Sequence, residues 1–252
     1  MEWLVISVAS LFAGFVDAIV GGGGLILVPA LFAVFPTTAP ATLFGTNKTG
    51  SIWGTALSAW RYARRVEFDW PTLWPALAAA FLGSLFGSWV VTMISADFMR
   101  KLLPFILLAV LLYTLARKDM GQVHKPLQSA ARSLVLGCAI GLLIGFYDGF
   151  FGPGTGSFFV FALVRLLGYD FLNASANAKL LNIATNLATI ILLGFKGYIW
   201  WHLMLPLAAA NLVGSFLGTY MALRYGAGFV RWIFIGVVSL LIMRTAYDAF
   251  LR

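Results

Sequence analysis

Three stretches of the chain, 18–47, 70–96 and 197–223, contain no Asp, Glu, Lys or Arg. A helix needs roughly 20 mostly apolar residues to cross a bilayer, and each stretch is longer than that. Charged residues make up only 10% of the chain, against about a quarter in a soluble domain. The class this defines is an all-α integral membrane protein. The formal charge of +8 does not point to nucleic acid, because the basic residues lie between apolar segments and read as topology signals. The first apolar segment lacks a basic leader and runs straight into Asp17 and a glycine cluster, so no cleavable signal peptide is expected.

The chain also repeats itself. Asp148 follows Asp17 by 131 residues, and the same offset carries Gly21 to Gly152, Lys48 to Lys179, Pro75 to Pro206, Gly83 to Gly214 and Gly87 to Gly218 without a gap. Two such copies are a common plan of secondary transporters. The expected domains are a first membrane repeat at 1–120, a connecting loop at 121–131 and a second repeat at 132–252. About eight apolar segments are expected, four per repeat: 3–35, 41–62, 70–94, 98–116, 133–167, 171–195, 199–223 and 229–250. With eight crossings, most loop Lys and Arg, including Arg61, Arg64, Arg65, Arg117 and Lys118, fall on the side of both termini, which places those termini in the cytoplasm. Re-entrant hairpins in place of crossings would turn parallel repeats into inverted ones.

The first segment of each repeat is too long for one crossing and is interrupted, at Gly21 to Gly24 and at Gly152 to Gly156. Glycine costs about 1 kcal/mol in a helix interior and proline more, so both stretches are expected to be non-helical. Unwound backbone at membrane depth needs protein or a water-filled cavity around it, so the two breaks should face each other inside. Gly83-x-x-x-Gly87 and Gly214-x-x-x-Gly218 permit close helix approach, within one chain or across a homodimer.

Four charges sit inside apolar segments: Asp17, Lys48, Asp148 and Lys179. Each costs roughly 2.5–3.5 kcal/mol near mid-membrane on insertion scales, so each should face inward and have a partner. One reading is two structural ion pairs, Asp17 with Lys48 and Asp148 with Lys179, or crosswise. The other is a binding site in which the lysines attract an anion and the aspartates pair with them or carry protons. Amides favour the second. Asn47 adjoins Lys48, while Lys179, Asn182 and Asn186 share one helical face. Main-chain N–H groups at Gly22, Gly23 and Gly154, where helices restart, add donors suited to an oxyanion. Asn211 reads as a packing hydrogen bond, Cys138 as packing, His202 as interfacial and His124 as a loop residue. No metal spacing, nucleophile with a base, or phosphate loop is present, so no cofactor and no enzymatic activity are expected.

The two breaks, each preceded by Gly-Phe-x-Asp, resemble the sulfite exporter TauE/SafE family of the toluene-sulfonate uptake permease superfamily. Gly45-Thr46-Asn47-Lys48, the stretch from Gly145 to Pro153, and Ala178-Lys179-Leu180-Leu181-Asn182 are similar to its YfcA-like members. The resemblance implies a bacterial inner-membrane permease for sulfite or an organosulfonate, working as an exporter. The alternatives are a passive anion channel and a non-transporting membrane assembly factor.

Overall fold

The structure, a computed structural model, describes residues 2–116, 125–127 and 129–225 and the single positions 239, 243 and 247. The described residues form helices and no strand: α1 (Glu2–Val20), α2 (Gly24–Val34), α3 (Pro40–Ala63), α4 (Trp70–Val91), α5 (Ala96–Ala116), α6 (Ala130–Phe150), α7 (Thr155–Leu167), α8 (Phe171–Phe195) and α9 (Trp201–Tyr225). Five of them, α1, α4, α6, α8 and α9, are long and apolar enough to cross a membrane. The expected segment 229–250 lies outside the described residues apart from those single positions. Helix α3 is as long as these five but more polar, because the turns carrying Thr46, Asn47, Lys48 and Thr49 are buried among other helices.

Local signals set several ends. Pro40 and Pro71 stand at the first turns of α3 and α4, where a missing N–H leaves no helical bond unmade. Asp170 caps α8 by accepting from Asn173 N at 2.8 Å. The two interruptions are shorter than expected. Helix resumes at Gly24 and at Thr155, leaving only 21–23 and 151–154 outside it. Left-handed backbone is needed at Gly21, Gly152 and Gly154, with φ of +75°, +91° and +83°. Gly24 and Gly156 have negative φ and sit in first turns, where glycine carries little penalty. The breaks do meet: Ser157 N donates to Gly21 O at 3.1 Å, and a Cβ on Gly21 would strike the Gly156 backbone.

The closest packing is between distant parts of the chain. Helix α4 lies along α6, and α1 along α9. A Cβ on Gly83 would collide with Leu142 O and one on Gly87 with Phe146 O; on the other pair, Gly214 meets Leu11 O and Gly218 meets Phe15 O. These contacts correspond at the 131-residue offset. So do the hydroxyl pairs Ser58–Thr219 and Ser88–Thr189. Both small-xxx-small faces therefore pack against helices of the same chain.

Candidate functional site

Where α1, α3, α6 and α8 converge on the two breaks, a buried polar cavity of about 30 Å3 remains, room for roughly two water molecules. Asn47, Lys48, Asn182, Asn186, Gly23 and Gly154 line it, as do Asp17 and Asp148. The structure thus brings together most of the residues singled out in the sequence. Gly22 and Lys179 are not among the lining residues. Four further polar side chains are: Ser51, Thr55, Thr155 and Asn211. The 131-residue offset is the signal for two of these, since it carries Ser51 to Asn182 and Thr55 to Asn186. Asn211 does make the expected packing bond, donating to Ser10 O at 3.2 Å, and it also lines the cavity.

The four buried charges pair crosswise. Lys48 Nζ lies 2.6 Å from Asp148 Oδ1, and Lys179 Nζ lies 2.8 Å from Asp17 Oδ2. Lys179 also donates to the Asp17 main-chain oxygen. Each pair thus joins one half of the sequence to the other. Desolvating two charges is expensive, and their attraction offsets this only with further hydrogen bonds on the remaining lone pairs. Asp17 has more of them: Gly23 N donates to Oδ1 at 3.4 Å, and the Thr55 hydroxyl, 3.3 Å from Oδ2, is shared with Ser51 O at 3.0 Å. Asp148 does not: among the described residues its buried Oδ2 has no hydrogen-bond partner.

The amides are also open. Asn47, Asn182 and Asn186 are 5%, 6% and 4% exposed, yet none of their side chains makes a hydrogen bond among the described residues. A buried polar group left unsatisfied costs about 1–3 kcal/mol. That cost falls on Asp148 Oδ2, which is fully buried, whereas the three amides face the cavity. Helices α2 and α7 start at this cavity with Gly24 and Thr155 and present the positive ends of their dipoles to it.

Apolar helices, broken at glycines around an inward-facing polar cavity, make this a multi-pass membrane protein of the transporter class. The chain matches the family model for "Sulfite exporter TauE/SafE" over residues 6–245, and it belongs to that family. A "Probable membrane transporter protein" of Haemophilus influenzae is 34% identical over 236 residues, covering 94% of this chain and 91% of the relative. "Probable membrane transporter protein ORF9" of a Sinorhizobium species is 34% identical over 242 residues, covering 96% and 91%. "Probable membrane transporter protein YfcA" of Escherichia coli is 31% identical over 245 residues, covering 97% and 90%. No solved structure matches the chain.

Proposed function

We propose that the protein is a permease for a small oxyanion, sulfite or an organosulfonate, working as an exporter in a bacterial inner membrane. The observation that carries the reading is the set of amides of Asn47, Asn182 and Asn186 that line one cavity beside Lys48, at the starts of two helices. Amide N–H groups, an ammonium and helix N-termini are all donors, and an oxyanion offers only acceptors. Lys48 attracts the anion, the amides orient it, and the main-chain N–H of Gly154 adds a donor to its shell. Lys179 and Asp17 hold α8 to α1 beside the site. The sulfur chemistry and the export direction rest on the family. The contacts that recur at an offset of 131 residues support two pseudo-symmetric four-segment repeats.

Counterflow into proteoliposomes tests this, with a panel of sulfite, sulfate, thiosulfate, taurine and sulfoacetate. A permease saturates and shows counterflow with at least one of them. Flux that rises without saturation and without counterflow would make it a channel. No flux with any of the panel would leave an assembly factor.

A further inference from the structure

We infer that Asp148, and not Asp17, binds the proton of the transport cycle, taking it up as an anion draws Lys48 away; this rests on the permease reading above. The two aspartates are equivalent in sequence and unequal in surroundings. Asp17 receives Lys179 and Gly23 N, and shares the Thr55 hydroxyl with Ser51 O. At the 131-residue offset the matching donors for Asp148 are Lys48, Asn186 and Gly154. Among the described residues only Lys48 is engaged, on Oδ1, and Oδ2 stands without a donor. The ionised form of Asp148 therefore depends on one cation.

That cation lines the cavity. An anion bound there competes for the Lys48 ammonium and weakens its hold on Asp148. A buried carboxylate that loses its counter-charge takes a proton. The neighbouring elements offer no substitute. Helix α4, packed along α6, has no charged residue, and α7 has only Arg165 in its last turn. The one charge of α8, Lys179, is held by Asp17. On α3, Arg61 bonds to Phe216 O at the far end. Tyr147, beside Asp148 on α6, gives its hydroxyl to Pro153 O at 2.7 Å. The Asp17 group, in contrast, keeps Thr55, Gly23 and a lysine that is not among the cavity-lining residues. A proton from the aqueous phase adds to a carboxylate oxygen of Asp148, one for each anion bound. A monovalent anion then crosses with no net charge, and proton and anion travel the same way.

The test follows protons and anions together in proteoliposomes holding a pH-sensitive dye. Thiosulfate and sulfoacetate are the probes, because both stay fully ionised at neutral pH and carry no proton themselves. Wild type is expected to move about one proton per anion, as linkage of one titrating group requires. Asp148→Asn should bring the ratio to zero, whereas Asp148→Glu and the double change Asp17→Asn with Lys179→Met should keep it. Counterflow with a wild-type ratio of zero overturns this inference and leaves the permease standing. A ratio that survives in Asp148→Asn also overturns it. Absence of counterflow with the whole panel removes both. Should Asp148→Asn fail to fold, anion binding to the wild type in detergent decides. Affinity should fall by a factor approaching tenfold per pH unit on the alkaline side, and a flat profile would defeat the idea.

Discussion

Lys48 and Lys179 occupy equivalent places in the sequence, and their surroundings assign them different work. Lys48 lines the cavity with one ion-pair partner, while Lys179 is tied to both the side chain and the main chain of Asp17. Truncating either lysine alone leaves a buried carboxylate without its cation, at a cost of about 3–5 kcal/mol, and removing both partners of a pair is often tolerated. Lys48→Met and Lys179→Met should therefore each lower the melting temperature in detergent. Adding Asp148→Asn to the first and Asp17→Asn to the second should restore it. Counterflow separates them: it returns with the Asp17 pair and stays lost with the Asp148 pair, where no neutral side chain replaces a charge-assisted hydrogen bond. Recovery of flux in both double variants would take Lys48 out of the site. The presence of four inward charges was legible in the sequence from their apolar surroundings. The crosswise pairing was not, because the offset says which residues are equivalent and not which copy's lysine reaches which aspartate. The rest of the site shows the same limit. Asn182 and Asn186 share a helical face with Lys179, and only packing decides that the amides reach the cavity while the lysine reaches Asp17.

The helices show what glycine decides. At Gly83 and Gly214 the neighbour is the backbone of the facing helix, at Leu142 and Leu11, which cannot turn aside. At Gly137 it is the end of the Thr72 side chain, 3.1 Å from an added Cβ, with Ala76 Cβ at 3.6 Å. Overpacking a tight contact costs about 1–3 kcal/mol, so Gly83→Ala and Gly214→Ala should melt well below wild type and Gly137→Ala close to it. Equal losses at all three would mean that helix separation is not what these glycines control. The long helices and both interruptions were legible from charge-free runs and glycine clusters. The exact limits of the breaks were not, since a glycine inside a first helical turn reads the same as one in a left-handed turn. The partners of these glycine faces were hidden too. Gly214 and Leu11 are far apart in the chain, and nothing local to either residue announces the other.

In the whole molecule, α1, α2, α3 and α9 pack as one body and α4, α6, α7 and α8 as another, and the two meet chiefly along α3 and α8. Each body mixes the two halves of the sequence. Both buried ion pairs cross the junction, Asp17 on α1 to Lys179 on α8 and Lys48 on α3 to Asp148 on α6. The cavity is lined from both sides of it. If the protein works by rocking one body against the other, the moving surface is this junction, and contacts inside each body stay fixed. Two hydroxyl pairs test that. Ser58 Oγ lies 3.1 Å from Thr219 Oγ1 inside the first body, and Ser88 Oγ lies 2.8 Å from Thr189 Oγ1 inside the second. Cysteines at either pair, in a background with Cys138→Ala, place two thiols close to disulfide geometry. Oxidised and reduced protein should exchange anion at the same rate. A counterflow that stops on oxidation and returns with reductant would place the motion within a body. The two ion pairs would then be fixed struts instead of contacts that open and close with each cycle.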